Sequence, residues 1–210
     1  MSKSSNASPP RTRAYHHGNL KDALLEAALA VIERDGYESL SMRSLAQEAG
    51  VSSAAPYRHF ADRSALLAAA ACVGYEELRA LHGQAMAARG DAVSRLRLAM
   101  RSFLDFSQRR RGLFQLMYSD YLRQQVASEA LAGLEADVFR DVSLSMAQAV
   151  PGLDERSLRL RMAAFWATLY GHAVVRQHGL LRPYMKEGLS DDEIDEAVFA
   201  AALGPVAPRG

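Results

Sequence analysis

From residue 20 onward the apolar positions recur every three to four residues, and no stretch shows the two-residue alternation of a strand. Leu24, Leu25, Ala28, Val31 and Ile32 form a first stripe, with Asn19 and Asp22 as its N-terminal cap and Gly36 as its stop. A short second helix is expected from Ser41, through Leu45 and Ala46, to Gly50. A third starts at once, with Ser52 as its cap. Asp62 opens a longer helix toward Gly90. Asp91 opens another, with Val93, Leu96, Met100, Phe103 and Leu104 on one face and an end near Gly112. "GLFQLMYS" follows as a short connecting segment. Leu131, Leu134, Val138, Val142 and Met146 mark a helix that halts at Pro151. The stripe after Asp154 runs Leu158, Met162, Phe165, Trp166, Leu169 and Ala173, and a last helix spans Asp191 to Gly204-Pro205. The pattern predicts an all-α protein of about nine helices.

Composition narrows what such a protein does. A chain of 210 residues is long enough for one sizeable core, or for a small domain attached to a larger one. The net charge of +1 gives no bulk attraction to polyanions, so any basic surface must be local. Residues 1–17 hold Lys3, Arg11 and Arg13 with no acid and no apolar run, which reads as a disordered basic arm rather than a secretory signal. No stretch reaches the roughly 20 apolar residues of a membrane span, so a cytoplasmic protein is expected. Cys72, the sole cysteine, excludes an intrachain disulfide and sits among alanines as a small buried hydrophobe.

Catalytic chemistry finds no foothold. There is no Gly-rich phosphate loop, no serine elbow and no metal-ligand spacing. His172 and His178 lie six apart on different helix faces, and "SDDEIDEA" is a helix start with acids favourable to the dipole, not a calcium loop. Neither an enzyme, nor a cofactor, nor a metal site is expected.

The stretch "SMRSLAQEAGVSSAAPYRHF" carries more information. On two short helices joined at Gly50, Ala46 permits a close crossing, Val51 plugs the corner, and Leu45 and Phe60 point to the core. This is the packing of a helix-turn-helix, whose second member lies in the DNA major groove. At roughly 100° per residue, Pro56 and Phe60 share the inward stripe of the reading helix. Ala54, Ala55 and Arg58 then project outward, with Tyr57 and His59 on the flanks. Arg58 suits a guanine edge, the alanine methyls suit a thymine methyl, and Tyr57 and His59 can donate to phosphates. With Ser52 as cap, Pro56 is the fourth helical residue, so only the first intrahelical bond is lost.

Residues 15–70, most plainly "SMRSLAQEAGVSSAAPYRHFADRSALL", resemble the tetracycline-repressor (TetR/AcrR) family of bacterial transcription factors. "YHHGNL" and "APYRHFADRSALLAAAA" resemble one subgroup of it. "WATLYG", Trp166 to Gly171, is similar to that subgroup's Trp-x-x-x-His-Gly signature, with Tyr170 in place of the histidine. The resemblance implies a homodimer on a pseudo-palindromic double-stranded operator. It implies a helix-turn-helix domain over residues 18–62, continuing into a connecting helix to about residue 78. A ligand-binding and dimerising domain over 63–204 and a tail over 205–210 follow. Carried over by position, the family's DNA contacts fall on Ser41, Met42 and Arg43, then Ser53, Ala54 and Ala55, then Tyr57, Arg58, His59 and Arg63. Met42 departs from the usual small hydroxyl.

Aromatic side chains gather in the second half. Phe103, Met117, Phe139, Trp166 and Tyr170 are the expected lining of a pocket for a small hydrophobic or amphipathic effector. The helices from Asp154 and Asp191 are expected to form the dimer, with Val174, Val175, Ile194, Val198 and Phe199 as apolar positions for it. Repression follows from the resemblance alone. A DNA-binding activator, or a constitutive regulator without a ligand, is the alternative.

Overall fold

The computed structural model describes residues 20–126 and 128–204, and all regular structure among them is helical. The basic arm, the Asn19 cap and the tail expected from the sequence lie outside the described residues. The head consists of α1 (Leu20–Asp35), α2 (Met42–Glu48) and a 3-10 turn at Pro56–Arg58. The long α3 (Arg63–Ala87) leaves it and packs on α4 (Ala92–Arg109) and α7 (Glu129–Ala149). The segment read as a connector is the short helix α5 (Arg111–Met117), a second short helix, α6 (Asp120–Gln125), follows it, and α8 (Glu155–Gln177) and α9 (Asp191–Leu203) complete the described chain.

Side-chain caps start most of these helices. Asp62, Asp91 and Asp154 accept the backbone N–H three residues on, at 2.8, 2.7 and 2.7 Å. Ser41 and Ser190 make reciprocal capping boxes with Ser44 and Glu193. Each cap satisfies donors that the helix itself leaves unpaired, which is why the Asp and Ser positions marked boundaries in the sequence.

A single apolar core runs from Leu24 in α1 to Ala202 in α9. The head shares it, because α1 rests on α5. Gly112 makes that contact possible: a Cβ there would stand 2.1 Å from the carbonyl oxygen of Ile32. The Gly112 N–H donates to Glu33 Oε2 at 2.9 Å, and Arg110 Nε lies 3.5 Å from the other Glu33 oxygen and 3.4 Å from Glu77 Oε2. At the far end, buried Asp195 of α9 meets His172 Nε2 at 2.7 Å and accepts from Arg176 at 2.6 Å, both on α8. His172 is therefore tied to the fold.

Phe199 corrects one expectation. It is fully buried within the protomer, with the Arg101 guanidinium 5.7 Å over its ring. Asp195, Phe199 and Ala202 form the inward stripe of α9, one turn apart, so Phe199 is not free for a subunit interface. Val174, Val175, Ile194 and Val198 are half-buried.

Candidate functional site

The head presents its reading segment differently from the α-helix expected after Ser52. Among residues 52–60 the bonding is mostly i to i+3: Ala55 N–H donates to Ser52, Arg58 N–H to Ala55, and His59 N–H to Pro56. Pro56 has no N–H for the fourth-residue bond, and Asp62 is already extended as the cap of α3. Between these two limits one tight turn fits and a longer helix does not. Before it, Gly50 takes the left-handed backbone (φ 66°), and Val51 N–H returns to the Ala46 carbonyl at 2.9 Å.

This geometry sorts the expected contacts. Ser53, Ala54, Tyr57, Arg58 and His59 are exposed, with Tyr57 at 59% of its full surface. Arg43, exposed near the start of α2, joins Ser53, Ala54 and Tyr57 as the walls of one surface groove. Ser41 is exposed beside it, with its hydroxyl engaged by Ser44. Phe60 and Pro56 point inward as expected.

Three expected contacts turn inward instead. Ala55 is buried, because the tightened turn rotates it beside Pro56 and away from the exposed edge. Met42 belongs to the core, so its side chain anchors α2. Arg63 donates through Nε to the Leu40 carbonyl and through a terminal nitrogen to the Tyr37 carbonyl, both at 2.7 Å, and its guanidinium lies 5.0 Å over the Tyr121 ring. Arg63 holds the loop before α2 onto α3, and those donors are not open to a phosphate.

A second site lies between α3, α4, α7 and α8, a cavity of about 530 Å³. Phe103, Phe139 and Trp166 line it, as expected, while Met117 and Tyr170 do not. Met117 is buried against Gly74, where its sulfur occupies the space a Cβ would take. Tyr170 stacks on Phe114 and Trp166 at 5.9 and 6.0 Å, behind the wall. The remaining lining includes Tyr75, Leu78 and His82 of α3, Met100 of α4, Glu135 of α7 and Met162 of α8. Sequence reasoning passed over Glu135, although it lies three and four residues before Val138 and Phe139, on the same face of α7.

Polar groups are few here, and their environment defines them. The Tyr75 phenol is pushed up from its ordinary pKa, by burial first and then by the Glu135 carboxylate. Tyr118 is raised as well, again chiefly by burial. His82 is held below its ordinary value by desolvation, against the opposing charge of Asp141, and its Nε2 lies 2.9 Å from the Ser145 hydroxyl. Both tyrosines and the histidine are therefore neutral at neutral pH. Tyr118 also meets Phe114 at 4.8 Å and Trp166 at 5.4 Å, which links the cavity wall to α5 and so to the contact with α1.

Comparison with known proteins places the chain in a family. Residues 24–70 match the model "Bacterial regulatory proteins, tetR family", and residues 96–201 match "Tetracyclin repressor-like, C-terminal domain". The nucleoid occlusion factor SlmA of Vibrio cholerae is 28% identical over 142 residues, 67% of this chain and 70% of the relative. A protein of unknown function from Rhodococcus sp. RHA1 superposes with a TM-score of 0.76 at 31% identity, covering 91% of this chain and 97% of the other. The TetR-like regulator LfrR of Mycobacterium smegmatis, solved in complex with proflavine, superposes with a TM-score of 0.62 at 19% identity, over 90% of this chain and 96% of the other. The chain belongs to the TetR family of DNA-binding transcriptional regulators.

Proposed function

We propose that the protein is a homodimeric cytoplasmic repressor that leaves a pseudo-palindromic operator when a small hydrophobic or amphipathic effector fills the cavity between α3, α4, α7 and α8. The observation that carries this reading is the shared core. One face of the molecule carries the groove of Arg43, Ser53, Ala54 and Tyr57, and the same core borders an apolar cavity of about 530 Å³ that is partly open, with Phe139 and Trp166 exposed in its lining. A cavity of this size and lining suits a drug-sized apolar ligand. The complex of LfrR with proflavine supports a small-molecule reading for this fold.

In this reading Arg58 and Ala54 meet base edges, while Arg43, Ser41, Ser53, Tyr57 and His59 meet the phosphate walls. One turn reads too few base pairs for selectivity, so two heads are needed at a separation of roughly 34–36 Å or its multiples. Faces of α8 and α9 carrying Val174, Val175, Ile194 and Val198 hold the two subunits together. An effector that binds the DNA-free arrangement more tightly by about 1.4 kcal/mol weakens operator binding about tenfold.

Selection of bound fragments from a genomic DNA library tests this reading. The expected product is a two-fold symmetric site with half-sites about one helical turn apart, bound by a dimer in light scattering. An asymmetric or random set of fragments, or a monomer on the selected DNA, refutes it.

A further inference from the structure

Of the eleven large hydrophobic residues exposed among the described residues, four (Leu180, Tyr184, Met185 and Leu189) fall within ten positions of the loop joining α8 to α9. Tyr184 keeps 77% of its full surface, the largest share of the set. A single exposed apolar side chain is ordinary, but a concentration of them marks a contact surface. The backbone that carries them is well tied. Gly179 and Gly188 bracket the loop in left-handed conformation, and a 3-10 turn spans Pro183–Met185 between them. Met185 N–H donates to the Arg182 carbonyl at 2.9 Å and Lys186 N–H to the Pro183 carbonyl at 3.0 Å, while the Lys186 ammonium meets Asp191 at 2.9 Å.

This surface continues a face of α8. At roughly 100° per residue, Leu160, Ala164, Ala167, Gly171, Val174 and His178 share one stripe of the helix, and all of them are exposed or half-buried. Past Gly179, the Leu180 N–H returns to the Val175 carbonyl at 3.0 Å, so the loop starts beside the end of that stripe. The exposed positions of the two helices are mostly small: Ala163, Ala164 and Ala167 on α8, then Ala197, Ala200 and Ala201 on α9. A Cβ at Gly171 would meet nothing within 4 Å. Small residues let two helices approach closely, but each buries little area. A stable interface takes roughly 800 Å² from each partner and is enriched in Tyr and Met. The large side chains that such an area needs stand in the adjoining loop.

Resting on the reading of the protein as a homodimer, we propose that the loop over residues 179–189 is an arm that clasps the second copy, with Tyr184 and Met185 as its anchors and Leu180 and Leu189 beside them. The helices supply close approach, and the arm supplies area. Two-fold symmetry makes the contact twice, so a change in the arm acts at two places in one interface. Arg182, exposed on the same loop, keeps its charge in water at the rim. An anionic lipid surface fits the loop less well, because the exposed acids Glu187, Asp191, Asp192 and Glu193 lie on it or directly after it.

Sedimentation equilibrium of the full-length protein, from nanomolar to micromolar concentration, tests the proposal. Tyr184→Ser combined with Met185→Ser should raise the dimer dissociation constant about tenfold or more, because a few large anchors carry most of the affinity of an interface. Leu180→Ser should weaken the dimer in the same direction, and Tyr184→Phe should keep most of the native affinity. Leu144→Ser, at an exposed position on α7, should leave it unchanged. All these side chains are exposed in the protomer, so the circular dichroism of each variant should match that of the native chain. A native dimer whose affinity survives the double substitution, or falls equally with Leu144→Ser, overturns the proposal and leaves the homodimer standing. Retained dimer affinity together with lost adsorption to phosphatidylglycerol vesicles would overturn it too, by assigning the loop to a lipid surface. A native protein that is monomeric throughout overturns both readings.

Discussion

Glu33 on α1 accepts the backbone N–H of Gly112 on α5 at 2.9 Å, so the head and the larger helical body are joined by a side chain and a bare backbone. A Cβ at Gly112 would come within 2.1 Å of the Ile32 carbonyl oxygen, and neither backbone can step aside cheaply. Gly112→Ala should therefore destabilise the protein by about 1–3 kcal/mol, lowering Tm by about 2–4 °C per kcal/mol. Gly83→Ala is the matched control, because a Cβ there meets nothing within 4 Å on exposed helix. That change should be neutral or stabilising by up to about 1 kcal/mol. Thermal melts of the two variants side by side check the pair.

Arg58 is exposed on the reading turn, and in the proposed interface it addresses a base edge. Arg58→Ala should cost about 1–3 kcal/mol on the selected operator and relax the preference at one base pair. His59→Ala should instead weaken all sequences alike and flatten the salt dependence, as loss of a phosphate contact does. Anisotropy titrations on a panel of single-base operator variants separate the two behaviours. Equal operator binding by native protein and Arg58→Ala would remove Arg58 from the interface.

Asp195 is buried, with His172 at 2.7 Å and Arg176 at 2.6 Å on the neighbouring helix. Asp195→Ala strands the Arg176 charge and the His172 ring against an apolar wall, which should cost about 3–5 kcal/mol. Denaturant unfolding at several protein concentrations measures this cost apart from any change in assembly.

His82 gives the protein an acid-sensitive element. Its folded-state pKa lies below the ordinary 6.5, so below that pH the unfolded chain takes up a proton that the folded chain resists. The contribution is fully present above the ordinary value and is lost as pH falls through the folded-state value. His82→Gln, which can still reach the Ser145 hydroxyl, should flatten the fall in Tm between about pH 7 and pH 5.5. A slope identical to that of the native protein would show that His82 does not contribute.

The helices were legible because their ends are marked by local chemistry. Asp62, Asp91 and Asp154 cap the helices that follow them as expected, and Ser190 caps the last one just before its expected start; most of the apolar stripes of α4 and α8 face the core, while Val93 and Trp166 are exposed. The segment between α2 and α3 is helical where a helix was expected, but as a single 3-10 turn rather than an α-helix. The single absent N–H of Pro56 combines with the early cap at Asp62, and helical periodicity does not register that combination. Ala55 followed it inward. Arg63 and Phe199 were misjudged for another reason: their partners are the Tyr37 and Leu40 carbonyls and Arg101, groups distant in sequence that only the tertiary fold brings near. Glu135 was passed over because a lone acid on a helix reads as a solvated face, and it is indeed exposed; only the packing of α3, α4 and α8 beside α7 makes it part of a cavity lining.

The continuous core from Leu24 to Ala202 has a consequence for how this molecule comes apart. The buried face of α1, with Val31 and Ile32, is roofed partly by α5, so the DNA-reading head lacks a complete interior of its own. Functional modularity and folding cooperativity then follow different boundaries. Calorimetry of the intact chain should show the head and the body losing their heat capacity signature in one transition. A fragment cut after the first part of α3 should emerge as a loosely packed collapsed state that binds hydrophobic dyes, rather than as a miniature DNA-binding protein.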